Sequence, residues 1–252
     1  MLSKSGQDKL GYLIGLSGLI IVVSTVFAWY RLQPPRYDSQ TLCLLDTEGH
    51  RTTVLVDKTD PFSDPKVVED AIEEAKRSLP LYGRLTIHVL DGSNNIIGPP
   101  VFDLCNPGHG DQLSSVYRNP KHVRERYEQQ FEEPLDKILD DLKQPSEGNQ
   151  SPIAEALVET VFNRFAGLPP KTHEIILVSD LLENSKLGSA YKTNLSLDEA
   201  KSLVPPWLEK LPEHTSVTSV VVKRPRVRQL QYRAIENFWQ PWLDAIEVDV
   251  KF

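Results

Sequence analysis

The 252-residue chain has only two cysteines, Cys43 and Cys105. Two are too few for a disulfide scaffold, and they form no C-x-x-C pair of the kind that binds metal or performs redox chemistry. His50 and His109 lie near them in sequence, but the spacings match no familiar zinc-ligand pattern. Two free thiols or one disulfide bond are the remaining alternatives.

Basic residues are also few relative to acidic ones. The chain has 28 Lys and Arg against 35 Asp and Glu, which gives a formal net charge of −7. This balance argues against a general nucleic-acid binder, because contacts to phosphates need a basic surface. The G-x-S-x-G, Walker and H-E-x-x-H signatures are absent from the sequence as well, so it offers no familiar catalytic motif.

One long uncharged run, from Leu10 to Tyr30, lies near the N-terminus. As a helix rising about 1.5 Å per residue it would be about 31 Å long, enough to cross a bilayer core. Lys9 and Arg31 bracket it, and Trp29 lies where an interfacial aromatic residue is expected. We therefore predict a single transmembrane helix. A cleaved signal peptide is the alternative, although its apolar core usually has about 7–15 residues.

This run divides the chain into segments. We predict an N-terminal tail at 1–9, a transmembrane helix at 10–30, a short stiff linker at 31–40 and one globular domain at 41–252. Gly11 and Gly15 form a G-x-x-x-G pair, which would allow two such helices to associate as a homodimer. Basic residues nearly balance across the run, so they favour the extracytoplasmic side for the domain only slightly.

The most informative stretch begins with the apolar or β-branched residues Thr53 to Val56 and continues into oxygen-bearing side chains, among them Asp57 and Thr59. This pattern predicts a buried parallel strand that ends in a functional loop. Ser63 then offers an N-cap for a helix that should end near residues 79–80. Ligands bind at the carboxyl edge of such sheets, and hard oxygen donors suit a divalent cation. A simple turn cap is the alternative.

The rest of the chain alternates strands and helices. Strands are predicted at 84–90, 174–179 and 217–222, and helices at 121–142, 151–166 and 197–211. The segment 96–104 is typical of a return strand, and its Gly-Pro-Pro interruption places it at a sheet edge. Ser151 is expected to cap its helix, and Asp180 follows a strand directly. The fold class is therefore α/β, with a doubly wound, mostly parallel sheet and one antiparallel edge strand.

Four basic residues follow the last predicted strand: Lys223, Arg224, Arg226 and Arg228. They could bind an anion, a lipid headgroup or an acidic partner. A solvated basic loop is the alternative, because charge runs are commonly exposed to water.

The order of these elements resembles the von Willebrand factor A (vWA) domain, from about residue 52 to the C-terminus. In that family a metal-ion-dependent adhesion site combines a D-x-S-x-S turn after the first strand, a hydroxyl residue in a middle loop and an aspartate after a later strand. By this resemblance Asp57 and Thr59 match the turn, Ser151 the middle-loop hydroxyl and Asp180 the late aspartate. Pro61 departs from the pattern, since it stands where the second serine would be.

The resemblance implies a degenerate adhesion site. Asp60, Ser63 or water could replace the missing ligand, or the site has lost its metal. Mg²⁺ is the expected cofactor, and a protein partner would complete its coordination with an acidic residue. The expected function is thus a membrane-anchored interaction module rather than an enzyme.

Two alternatives come from other functional classes. The first is a metal-free structural scaffold of a membrane complex. The second is a Mg²⁺-dependent phosphatase of the haloacid-dehalogenase type, in which Asp57 would be the nucleophile. The second acidic residue expected two positions later is Thr59 here, which weakens the enzymatic interpretation.

Overall fold

The computed structural model describes residues 4–31, 35–62, 64–92, 96–109, 120–144, 148–162, 170–192, 195–203 and 208–251. The side chains of residues 4–14 and 120 lie outside the description. The chain divides into two compact units, Met1–Arg36 and Tyr37–Phe252. In the first unit a 28-residue helix, α1 (Lys4–Arg31), contains the run predicted to cross a membrane. Among the residues whose side chains are described, no helix is both long and apolar enough to span a bilayer.

The second unit is built on a six-stranded sheet in the order β3-β2-β1-β4-β7-β8. Its strands are β1 (His50–Asp57), β2 (Arg84–Leu90), β3 (Phe102–Cys105), β4 (Thr172–Ser179), β7 (Thr215–Val221) and β8 (Asp249–Lys251), while β5 (Asn184–Ser185) and β6 (Gly188–Ser189) form a separate hairpin. All neighbours in the large sheet are parallel except β2 and β3. The predicted antiparallel edge strand is therefore confirmed.

Helices cover both faces of this sheet. They are α2 (Lys66–Ser78), α3 (Pro120–Tyr127), α4 (Glu133–Leu142), α5 (Ile153–Phe162), α6 (Leu197–Leu203), α7 (Arg228–Ala234) and α8 (Gln240–Ala245). Single π turns join α3 to α4 and α7 to α8, and a 3₁₀ turn, Pro225–Val227, precedes α7. Val54 and Val56 point toward α2 and α4, whereas Leu55 points toward α5 and α8. Alternate residues of β1 thus serve two cores, which confirms the doubly wound α/β class.

Three predicted elements differ from the structure. The predicted helix at 197–211 is present as α6, Leu197–Leu203; residues 204–207 lie outside the description, and residues 208–211 are not helical. The last strand is β8 rather than β7, and its three residues carry no apolar run that could have revealed it. Ile96 and Ile97 lie in bends, so the return strand begins only at Phe102.

A disulfide bond joins Cys43 to Cys105, with 4.9 Å between their Cα atoms. It ties the segment before β1 to the edge strand β3. The same segment is held by Asp38, whose Oδ1 accepts the backbone N–H of Thr41 at 2.7 Å. Of the two alternatives left open by the sequence, the structure has the disulfide.

Candidate binding site at the carboxyl edge of the sheet

The register of the central strands brings two strand ends together. β1 and β4 are adjacent and parallel, and Val56 is aligned with Val178. Asp57, the last residue of β1, therefore lies beside Ser179, the last residue of β4. Asp180 follows at once, so two aspartates from distant parts of the sequence reach the same edge.

Asp57 accepts hydrogen bonds from three hydroxyl groups. Thr59 Oγ1 donates to its Oδ1 at 2.7 Å, and Ser179 Oγ donates to its Oδ2 at 2.7 Å. Ser151 Oγ lies 3.3 Å from Oδ2, a longer contact. The structure thus brings Thr59 and Ser151 to Asp57, as predicted. It also brings Ser179 to Asp57, which was not predicted. The sequence signal that could have identified Ser179 is its position directly before Asp180.

Asp180 is placed differently from the other three predicted residues. Its Oδ1 accepts the backbone N–H of Leu182 at 2.9 Å, and its Oδ2 lies 3.5 Å from Nε of Arg224. Burial and the nearby charge of Asp57 raise the pKa of Asp180 to about 7. Burial also raises the pKa of Asp57, although the bonds from Thr59 and Ser179 favour its ionised form. Two carboxyl groups therefore share one desolvated region.

Arg224 provides the positive charge nearest to these carboxyl groups in the described part of the chain. Its Nη2 lies 3.4 Å from Oδ2 of Asp60, and its Nη1 donates to the carbonyl oxygen of Pro61 at 2.9 Å. Tyr191 donates its hydroxyl to the same oxygen of Asp60 at 3.0 Å. One guanidinium thus connects the loop after β1 with the loop after β4.

The predicted role of Ser151 as a helix cap is wrong. Its backbone pairs with Asn184, and its hydroxyl faces Asp57. The start of α5 is instead capped by Glu183, whose Oε2 accepts the N–H of Ala154 at 2.9 Å. Glu183 is fully buried, its Oε1 has no hydrogen-bond partner among the described residues, and burial raises its pKa to about 8.

The donor chemistry of this edge fits a hard divalent cation. Carboxylate and hydroxyl oxygens from Asp57, Thr59, Ser151 and Asp180 are the ligand types that Mg²⁺ prefers. Within the described ranges, no group of three or more His, Cys, Asp or Glu side chains is arranged to hold a metal. The predicted site contains only two side chains of these types, Asp57 and Asp180, and its other two ligands are hydroxyls. Ser63, a predicted substitute ligand, lies outside the described residues.

No family model and no curated protein matches the chain. Among solved structures it is similar to the ArnB paralog VWA2 from Sulfolobus acidocaldarius, at 12% identity and a TM-score of 0.36, over 69% of this chain and 35% of that one. It is also similar to the conserved hypothetical protein BatB from Bacteroides thetaiotaomicron (14%, TM-score 0.35, covering 71% and 69%). An aerotolerance-related membrane protein from Bacteroides fragilis gives 12%, a TM-score of 0.36, and coverage of 70% and 69%.

Proposed function

We propose that the protein is a membrane-anchored, vWA-like interaction module that binds a partner protein at the carboxyl edge of its sheet. One observation carries the proposal: Asp57 is buried, surrounded by hydroxyl donors, and close enough to Asp180 to raise its pKa. Burying carboxyl groups together is costly to stability. Perturbed carboxyl groups of this kind cluster at functional sites.

In this proposal Asp57, Thr59, Ser151 and Asp180 hold one Mg²⁺ ion. Octahedral Mg²⁺ takes six ligands, so the four side chains leave two positions open, and an acidic residue of the partner and a water molecule would fill them. The function is binding rather than catalysis, since Thr59 stands where the phosphatase mechanism needs a second carboxylate. Nucleic acid is not a proposed partner.

We also propose that α1 anchors the protein in a membrane through residues 10–30. Its described large apolar side chains are more than half exposed, among them Ile21 at 65% and Trp29 at 67%, which suits contact with lipid. The disulfide between Cys43 and Cys105 supports an oxidising, extracytoplasmic compartment for the domain. The Gly11 and Gly15 pair would support dimerisation of two anchors.

A metal-free scaffold is the second candidate, and Arg224 favours it. Its guanidinium already supplies one positive charge to Asp180 and Asp60, at 3.5 and 3.4 Å. In that case the same edge would bind its partner without an ion.

A calorimetric titration of Mg²⁺ into the full-length protein in neutral detergent tests the metal. Wild type should bind, and Asp57→Asn should not, because the amide keeps the size of the side chain but loses its charge. Asp64→Asn is the matched control: Asp64 is exposed at the same edge, and among the described residues its side chain accepts only the N–H of Lys66. Circular dichroism would confirm that each variant is folded.

A pull-down with and without a chelator tests the partner. The proposal expects captured proteins to be lost when the chelator is added and when Asp57 is replaced by Asn. If Mg²⁺ binds none of the three proteins and the chelator leaves the complexes intact, the metal-free scaffold becomes the correct description.

A further inference from the structure

A cavity of about 360 Å³ lies beside the candidate site, between the end of β7 and helix α7. Three cationic side chains line it: Lys223, Arg224 and Arg228. Val221 and Ile235 contribute apolar surface, and no acidic residue is among the described residues that line it. The volume is in the range of ligand pockets, about 300–1,000 Å³. The cavity is thus positively charged in a protein of net charge −7.

The neighbouring cavity shows that this charge is local. It has a volume of about 400 Å³ and lies between α2 and β7. Asp64, Asp70 and Glu74 line it together with Lys251 and with Lys223, which lines both cavities. Among the described residues, the second cavity is therefore lined by carboxylates and the first is not.

Hydrogen bonds within the protein hold part of the wall of the first cavity. Gln231 donates through Nε2 to the carbonyl oxygens of Asp180 and Val222, at 2.9 and 2.7 Å, and accepts the N–H of Arg224 at 3.0 Å. Arg228 donates to the hydroxyl of Tyr232 at 3.1 Å, and its guanidinium carbon lies 5.2 Å from the centre of that ring. A wall held in this way loses little entropy when a ligand binds.

We propose that this cavity binds an acidic segment of a protein partner. A carboxylate would bind Arg228 and Lys223, and an adjoining apolar side chain would contact Val221 and Ile235. Charge complementarity selects the acid, and the apolar surface beside it favours a peptide over a simple anion. That the ligand belongs to a protein rests on the proposed function. The metal does not enter the inference.

Arg224 connects the cavity to the candidate site. It lines the cavity, and it also faces Asp180 and Asp60. A peptide in the cavity would therefore lie directly next to the aspartates, and one partner could engage both places.

The test is fluorescence anisotropy with a labelled decapeptide of alternating Glu and Leu, added to the full-length protein in neutral detergent and EDTA. Arg228→Glu places a negative charge in the cavity and should weaken binding at least about tenfold, the effect of losing one charge-assisted hydrogen bond. Arg226→Glu is the matched control, because Arg226 is exposed in the same basic segment but does not line the cavity. It should change binding no more than about twofold.

Three results would overturn the inference. Equal weakening by Arg226→Glu and Arg228→Glu would mean that only the general charge of the segment acts. Equal binding of a Gln and Leu peptide would remove the acidic requirement. Binding of glycerol 1-phosphate that depends on Arg228, without binding of the acidic peptide, would assign the cavity to a lipid headgroup. Because EDTA is present throughout, failure here leaves the proposed Mg²⁺ site untouched.

Discussion

Charged side chains are paired differently at the two ends of the parallel strands. At the amino end, Glu48 accepts hydrogen bonds from Arg51 at 2.5 and 2.8 Å and from Arg84 at 3.3 Å. Arg84 also donates to Asp103 at 2.5 and 2.7 Å. The two negative charges at this end are thus neutralised by the two arginines. At the carboxyl end Asp60 and Asp180 share Arg224, at 3.4 and 3.5 Å, and Asp57 accepts hydrogen bonds from the hydroxyls of Thr59 and Ser179.

The difference is consistent with the proposed placement of the binding site at the carboxyl end. Buried ion pairs with full hydrogen bonding hold a structure in place, and the disulfide at Cys105 reinforces the amino end further, because Cys105 is aligned with Arg84. An excess of buried carboxyl groups does not serve stability. It is retained where a cation or a partner supplies the missing charge.

The largest expected effect of a substitution at a single pH comes from opening the amino end. Replacing both Cys43 and Cys105 by Ser removes a cross-link between residues 62 positions apart. For a loop of that length the unfolding free energy should fall by about 4 kcal/mol. Urea unfolding followed by the fluorescence of the buried Trp239 and Trp242 measures it. A loss below about 1 kcal/mol, or a change in Mg²⁺ binding, would contradict the division of roles between the two ends.

The second effect concerns the ion pairs at the same end. Arg84→Met leaves Asp103 without its guanidinium partner and should cost about 3 kcal/mol in urea unfolding. Arg77→Met is the control: Arg77 is an exposed arginine of α2 whose side chain, within the part of the chain that the structure describes, donates only to the carbonyl of Glu73, so it should change stability by less than about 0.5 kcal/mol. Equal losses of stability in the two variants would show that the ion pairs of Arg84 stabilise the protein no more than an exposed arginine does.

The third effect is a dependence on pH at the carboxyl end. Burial raises the pKa of Glu183 to about 8 from a usual value near 4.5. The native state then holds a proton that the unfolded state has lost between pH 4.5 and 8. Stability should therefore fall as pH rises through this window, by up to about 1.4 kcal/mol per pH unit. Below the window both states are protonated and the dependence disappears.

Glu183→Gln isolates this contribution. The amide oxygen can still cap Ala154, and it carries no titrating group. The stability of the variant should therefore change less than that of wild type between pH 5 and 8, and the difference between the two curves belongs to Glu183. Parallel curves would mean that Glu183 is ionised in the native protein.

Much of the fold could be predicted because its strands are continuous apolar runs. The bounds of β2, Arg84–Leu90, were predicted residue for residue, and those of β1, β4 and β7 to within three positions. β8 could not be predicted, since it has three residues and only its middle one is partly buried. It forms because β7 offers an open edge, which is a property of the assembled sheet and not of the local sequence.

Prediction from local sequence has the same limit at the candidate site. Thr59 and Ser179 lie close in sequence to the strand ends that deliver them, so a local pattern can indicate them. Arg224 reaches Pro61 across 163 positions, and Glu183 caps a helix that begins thirty residues before it. Caps and cations that come from distant segments leave no local signal. Their identification needs the register of β1, β4 and β7.

The smallest expected change in stability belongs to Arg224. Arg224→Met removes the cation that faces Asp180 and Asp60, and because its contacts are long and its side chain is 19% exposed, the unfolding free energy should fall by no more than about 1 kcal/mol. Mg²⁺ affinity should instead rise about tenfold, since the ion no longer competes with a guanidinium for the same carboxylates. Arg224→Lys keeps the charge but not the forked geometry, so it should lie between the two. Calorimetric titration of Mg²⁺ into the three proteins measures the order of their affinities.

Equal affinities would mean that Arg224 and the ion do not share the aspartates. Binding only after Arg224→Met would mean that the guanidinium is the cation of this site in the native chain, and that the two ends of the sheet differ in how tightly they pair charge rather than in whether they do.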